Sequence, residues 1–371
     1  MIPYYLLLLI PVSLQISLKA INKSIRFANS EKKISADNIV LPLFFFAFLI
    51  LLSFRSETLG RDLFSYKYIF NIIGQGRLFS NIAGITEPIF QLYNWFIYNF
   101  ITKNYQLFVS LTAVITVLPI AWVYNQDKSH GYMKSAIFVN MSTFVMLFSG
   151  IRQGLAMAVG MLAYWAIKNN KRLIYIVLVL VAICMHHSGF MLIFLWPLYR
   201  YRFKKKDLIW LIPFVSTIII FNGRIFNALT VFLSSSNNKY DAIAQSTGAF
   251  SSFILFALFT IFCYVITDDE KMDDETFALR NILVFSTMLQ TFASVNPIAM
   301  RLNYYYILLI PIAIGKCLKC VDRRYYQIAK FGEIVICIFF TFYFFYTTYI
   351  SFITGKSALD IIPYIPFWRK Y

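Results

Sequence analysis

Two arginines stand where charge is costly. Arg152, in Ser149-Gly150-Ile151-Arg152-Gln153-Gly154, lies between apolar runs with almost no loop around it. Arg301 opens a later apolar run after Asn296-Pro297 and is followed by Asn303, Tyr304, Tyr305 and Tyr306. An arginine at the centre of a span costs roughly 2.5–3.5 kcal/mol or more, so a charge in or beside one needs a reason. Arg152 can snorkel to head groups, or hold a phosphate at a helix N-terminus where backbone N–H groups add to its charge. His186 and His187 are adjacent between two further apolar runs. A neutral imidazole is the best available proton acceptor near pH 7; the structural alternative is a histidine bonded to a backbone carbonyl. Arg55, Arg61, Asp62 and Tyr66 follow directly on another run, and Glu87-Pro88 closes that loop. They form either a solvated loop with internal ion pairs or part of a site. Gathered on one face, this set suits one reaction class. Arginines hold a lipid diphosphate, a His or carboxylate takes a proton from an attacking hydroxyl, and Tyr, Trp and Asn bind sugars. Positioning and charge stabilisation of a diphosphate leaving group needs no strong acid.

The elements that must position these residues follow from composition. Of 371 residues, 59% are apolar and 14% charged, against roughly 45–50% and about 25% in soluble domains. So few charges cannot cover a water-soluble surface of this size. The chain reads as an all-α polytopic membrane protein, and a soluble enzyme, a disordered chain, a collagen and a disulfide scaffold are excluded. The net charge of +17 falls mostly in short loops, where it sets topology and attracts anionic lipid; no nucleic-acid partner is expected. Cys317 and Cys320 form a lone C-x-x-C with no second pair and no nearby His, so neither metal nor redox chemistry is expected there.

Apolar runs lie near 3–18, 38–54, 87–102, 105–124, 134–150, 152–168, 172–185, 187–199, 207–222, 250–267, 280–296, 299–316 and 328–350. They are too continuous for a barrel. The first reads as a retained span, with no basic residue before it and no A-x-A site after it. No fixed-period repeat is visible, so residues 1–371 read as a single domain. Lys19, Lys23, Arg26, Lys32 and Lys33 mark a cytoplasmic loop, as do clusters at 168–172, 200–206 and 316–324. Alternation then places outside the loops 55–86 and 223–248, Arg152, His186, His187, Arg301 and the tail 353–371. Parity requires one run not to cross. The segment 87–102, with Gln91, Asn94 and Asn99, is the expected re-entrant or interfacial helix. About twelve spans remain. The tail, with Pro363, Tyr364, Phe367 and Trp368, reads as an aromatic interfacial segment.

At these residues the chain resembles the EpsG-type branch of the Wzy-like bacterial polysaccharide polymerases. F-R-x4-G-x-D-x3-Y matches Phe54, Arg55, Gly60, Asp62 and Tyr66. E-P-x-F matches Glu87 to Phe90, and I-R-Q-x-[LI]-A matches Ile151 to Ala156. H-x-S followed by P-L-Y matches His186 and Ser188 with Pro197, Leu198 and Tyr199; the doubled histidine departs from the pattern. R-x2-Y-Y matches Arg301, Tyr304 and Tyr305, and a late P-Y matches Pro363-Tyr364. The elements occur in family order across most of the chain. The resemblance implies an O-antigen, capsule or exopolysaccharide polymerase in the cytoplasmic (inner) membrane. It would move a growing glycan from undecaprenyl diphosphate to the non-reducing end of the next lipid-linked repeat unit, on the outer face. It implies no cofactor and no catalytic metal. It implies diphosphate binding by Arg152 and Arg301, and His186 as base with Asp62 and Glu87 as rivals. Arg55 and Asp62 would order the first outer loop. Arg61, Tyr66, Gln153, His187, Tyr304, Tyr305 and Tyr364 would complete the substrate-binding set, and the 223–248 loop would help select the repeat unit. Implied partners are the lipid-linked oligosaccharide, membrane lipid, a chain-length regulator and a flippase.

Three rival readings are a lipid-linked oligosaccharide flippase, a membrane O-acyltransferase acting on finished glycan, and a structural or scaffold partner in the assembly complex, which would tolerate loss of every outer-face charge. Transporters of this size usually show two related halves, which the sequence lacks.

Overall fold

The computed structural model describes residues 1–27, 37–82, 84–225, 228, 248–296 and 299–369. Among them the chain is helical, with isolated bridges in place of strands. In lipid every backbone polar group must be satisfied within its own segment, and continuous apolar runs do so as helices. The loop 223–248, with Asn237, Asn238, Lys239, Tyr240 and Asp241, lies almost entirely outside the described residues.

The helices gather in two compact units. The first is Met1–Phe190 with Glu333–Tyr371. It contains α1 (Ile2–Phe27), α2 (Asp37–Ser53), α3 (Leu63–Gly74), α4 (Pro88–Phe96), α5 (Tyr105–Asn125), α6 (Gly131–Asn140), α7 (Ser142–Ser149), α8 (Ile151–Lys168) and α9 (Arg172–Met185). The second is Met191–Gly332. It contains α10 (Leu195–Arg200), α11 (Leu208–Ile220), α12 (Gly248–Ile266), α13 (Asp274–Phe292), α14 (Ala299–Ile307) and α15 (Ile310–Cys317). The long α16 (Tyr326–Thr354) begins in the second unit's sequence and continues in the first's.

Among the described residues, two helices have the length and apolarity of a full crossing: Tyr105–Asn125 and the stretch Arg323–Thr354. Along α16, Phe331, Ile338, Phe342 and Tyr346 all stand exposed. An apolar face that long is untenable in water and ordinary against lipid.

Several runs that read as continuous are broken or short. The run 134–150 is split at Met141, which is extended between α6 and α7. The run 299–316 is split between α14 and α15. The run 187–199, expected to span, is a 3-10 helix His187–Phe194 followed by the short α10. Hydropathy counts side chains and does not register a backbone that stops making i to i−4 bonds. The segment 87–102 forms α4 and a π turn, Ile97–Ile101. Together they rise only about 20 Å, against a hydrocarbon core of about 30 Å. The loop 55–86 is not all loop, because it contains α3.

One core of the first unit lies under these broken elements. Tyr66, Phe70 and Ile73 of α3 pack with Phe90 of α4, Phe108 of α5, and Ile151 and Leu155 of α8. The Tyr105 hydroxyl donates to the Leu63 carbonyl at 2.6 Å and ties α5 to the start of α3.

Candidate functional site

The site in the first unit is assembled from four chain breaks. The first follows α2. Gly60 has φ +110° there, and a Cβ would lie 2.7 Å from the Phe148 carbonyl oxygen. Only glycine fits that backbone. The turn delivers Asp62 to the start of α3, with Tyr66 one helical turn on. The Asp62 N–H donates to Ser149 Oγ at 3.1 Å, and Ser149 Oγ donates to Asp62 Oδ2 at 3.2 Å. Asp62 is half-buried, and its Oδ1 has no hydrogen-bond partner among the described residues.

The second break is Thr86-Glu87-Pro88. A residue before proline is biased to extended backbone, and proline suits the first turn of a helix. Glu87 has φ −68° and ψ 115° and stands just before α4. Gln91 anchors the loop by donating to the Ser80 and Ile85 carbonyls at 2.9 and 3.1 Å. The third break is Gly150, between α7 and α8, which brings Arg152 onto the first turn of α8. Arg152 Nη1 donates to Glu87 Oε1 and Oε2 at 2.9 and 2.7 Å. Its Nε donates to Tyr66 Oη at 3.4 Å. Glu87 is 2% exposed and Arg152 21%. Among the described residues Arg152 Nη2 has no hydrogen-bond partner, so one edge of the guanidinium is available to a ligand.

The fourth break ends α9. His186 is extended, and Gly189 N–H donates to the His186 carbonyl at 2.8 Å. A Cβ at Gly189 would sit 2.6 Å from the Ala182 carbonyl carbon, so glycine lets this turn fold back on α9. Ser188 N–H donates to His186 Nδ1 at 3.2 Å, and Ser188 Oγ lies 2.6 Å from the same nitrogen. A backbone N–H can only donate. Nδ1 is therefore the acceptor in the neutral ring, and the proton sits on Nε2. Gln153 Nε2 donates to Ser188 Oγ at 3.4 Å, which completes a chain from Gln153 through Ser188 to His186. His187 is 70% exposed; its Nε2 lies 3.0 Å from Thr86 Oγ1 and 3.9 Å from Glu87 Oε1.

Burial raises the Glu87 carboxyl, but the Arg152 guanidinium, a backbone N–H and the two imidazoles outweigh it. Glu87 is held below the ordinary carboxylate range. Burial pushes the Tyr66 phenol up, partly offset by Arg152.

The structure thus brings together Asp62, Tyr66, Glu87, Arg152, Gln153, His186 and His187. Three other expected residues of the same unit, Arg55, Arg61 and Tyr364, make contacts outside this cluster. Arg55 is 2% exposed; it donates to the Leu52 carbonyl at 3.1 Å and lies 5.9 Å from the Phe148 ring centroid. Burial lowers its pKa to about 10. Arg61 is an exposed residue that pairs with Asp360 at 3.3 Å. Tyr364 donates to the Leu51 carbonyl at 3.0 Å and packs edge-on to Tyr4. The tail is docked along the 54–61 segment: Ser56 N–H donates to Ile365 O, Phe367 N–H to Phe54 O, and Gly60 N–H to Asp360 O. It braces the first loop. Arg301, Tyr304 and Tyr305 lie in the second unit, with Arg301 exposed and both tyrosines buried.

Ser149, Thr86 and Ser188 had no role in the sequence reading. The H-x-S spacing was a signal for Ser188; nothing local marked Thr86. Comparison with curated proteins and with solved structures returned no match. Comparison with families matches residues 38–365 to the EpsG family. That range covers most of the chain and every expected site residue, and the chain belongs to the EpsG family, which is associated with glycosyltransferase-like polysaccharide polymerases.

Proposed function

We propose that the protein polymerises lipid-linked repeat units on the outer face of the cytoplasmic membrane, as a multi-pass enzyme with about twelve crossings. A hydroxyl at the non-reducing end of an incoming repeat unit attacks the anomeric carbon of the growing glycan. The bond from that carbon to the phosphate oxygen breaks, undecaprenyl diphosphate leaves with the bonding pair, and the hydroxyl proton passes to a base. The observation that carries this reading is the Arg152 guanidinium, held through Nη1 by both oxygens of buried Glu87 with its Nη2 edge open. A fixed cation of this kind stabilises charge that develops on a departing diphosphate.

Geometry divides the roles. Glu87 orients Arg152; its oxygens are engaged and its affinity for a proton is low, so it is a poor base. His186 carries its proton on Nε2 and acts as a donor toward a phosphate or sugar oxygen. Asp62, half-exposed with Oδ1 open, is the group best placed to accept the proton. The cluster needs no metal to perform these steps.

Complementation of a polymerase-null strain, scored by glycan ladder length at matched protein level, tests the reading. Asp62→Asn lowers the polymerisation rate by roughly 10²–10⁴-fold, the usual worth of a general base. Ser188→Ala removes the Oγ contact to His186 Nδ1 while keeping the backbone N–H bond, and costs roughly five- to tenfold, the worth of one hydrogen bond. Wild-type ladders from Asp62→Asn remove it as the base. A null phenotype with no repeat unit on the surface, instead of a single unit, points to a flippase.

A further inference from the structure

The second unit contains an apolar groove of about 530 Å³ between α11, α12 and α13, and neither the reaction nor its site uses it. Leu211, Val215 and Ile219 line one wall, and Phe253, Ala257 and Val284 line the other. Its two threonine hydroxyls are already bonded, and the Tyr264 hydroxyl is buried without a hydrogen-bond partner among the described residues. Thr260 Oγ1 lies 2.9 Å from Thr287 Oγ1 and donates to the Phe256 carbonyl at 2.8 Å. No residue of α11 is buried, so this helix stands off from its neighbours and leaves the groove between them.

One end of the groove is polar. Lys205 and Tyr325 close it, with Lys205 Nζ 3.3 Å from the Val265 carbonyl and 5.9 Å from the Tyr325 ring centroid. An ammonium has three donors, and this contact uses one. Two nearby carboxylates pair with other cations, and Asp322 also feels the Lys205 charge. Asp269 pairs with Arg280 at 2.7 Å and accepts the Lys205 backbone N–H at 2.8 Å. Asp322 pairs with Arg324 at 2.7 Å. Among the described residues Lys205 makes no ion pair.

We propose that this groove holds one acyl chain of an anionic glycerophospholipid, with the phosphate on Lys205. Length supports the occupant. From Leu208 to Ile219 the α11 wall rises about 17 Å, close to half of a hydrocarbon core about 30 Å thick. That is the depth one acyl chain occupies in a single leaflet. A volume in the range of small-molecule sites, roughly 300–1,000 Å³, takes such a chain and not the several-fold longer undecaprenyl chain of the glycan carrier. The cation at the polar end selects an anionic head group over a zwitterionic one, because a basic residue at the membrane surface favours anionic lipid.

The test is native mass spectrometry of the full-length protein released from nanodiscs that contain equal phosphatidylglycerol and phosphatidylcholine. One phosphatidylglycerol per chain is retained, with a preference of about fivefold over phosphatidylcholine. Lys205→Gln erases the preference, whereas Lys206→Gln, on the exposed neighbour, leaves it. Ala257→Trp fills the groove and removes the retained lipid. If that variant does not fold, the two lysine variants decide the matter alone. Equal retention of both lipids, an equal loss in Lys206→Gln, or displacement of phosphatidylglycerol by added undecaprenyl phosphate each overturns the proposal.

Discussion

Replacing Arg152 with alanine strands the Glu87 carboxylate, which is 2% exposed, without the Nη1 partner it meets at 2.7 and 2.9 Å. Removing one member of a buried ion pair costs about 3–5 kcal/mol, because the other charge stays desolvated. Arg152 is 21% exposed, and water screens part of the interaction, so the expected loss is at the lower end, about 3 kcal/mol. For a cooperative unit of 150–250 residues that lowers Tm by roughly 6–12 °C. Glu87→Gln leaves a guanidinium that water already reaches, and costs about 1–2 kcal/mol. The double variant has no stranded charge and regains about 2 kcal/mol relative to Arg152→Ala, so the two losses are far from additive, as expected of neighbours. Activity behaves differently. Both variants that lack Arg152 make single repeat units on the surface, because the Nη2 edge is gone whatever Glu87 becomes. Thermal unfolding of the four proteins in nanodiscs reads the first quantity, and glycan ladders at matched membrane levels read the second. Strictly additive stability losses, or long ladders from the double variant, refute the argument.

Two further outcomes follow from the same geometry. The Glu87 carboxyl lies below its ordinary value of 4.5 in the folded protein. Its contribution is therefore fully present above pH 4.5 and is lost as pH falls through the lower folded-state value; Glu87→Gln flattens this acid limb in a Tm-against-pH series. Gly60→Ala forces a Cβ to within 2.7 Å of the Phe148 carbonyl oxygen at φ +110°. It costs about 1–3 kcal/mol of backbone strain, seen as lower Tm and lower membrane levels, and a Tm equal to wild type refutes that assignment.

The class of the protein was legible because it depends on sums. Apolar content, charge scarcity and run length are properties of composition, and they dictate helices in a low-dielectric solvent wherever the chain is folded. Several members of the candidate cluster stood out in the sequence too. Arg152, Glu87 and His186 are polar groups embedded in apolar sequence, and their burial must be repaid by partners. The short reach of 87–102 was also foreshadowed by Gln91, Asn94 and Asn99 and by loop charge.

Other features depended on where separate segments meet. Nothing near Arg152 in the chain announces that its partner is Glu87, 65 positions away. The interruptions at Met141 and within 187–199 escaped the hydropathy reading because an apolar side chain sits equally well on a helix, a 3-10 turn or an extended residue. The tail reads as an aromatic interfacial segment, and nothing local announces that Tyr364 and the 359–367 backbone bond to the 51–61 segment. The His186 tautomer was likewise invisible, since it is set by one backbone N–H two residues on. Composition selects the solvent and therefore the kind of element. Directional bonds between distant groups select which of the polar side chains form a site, and those bonds exist only once the chain is packed.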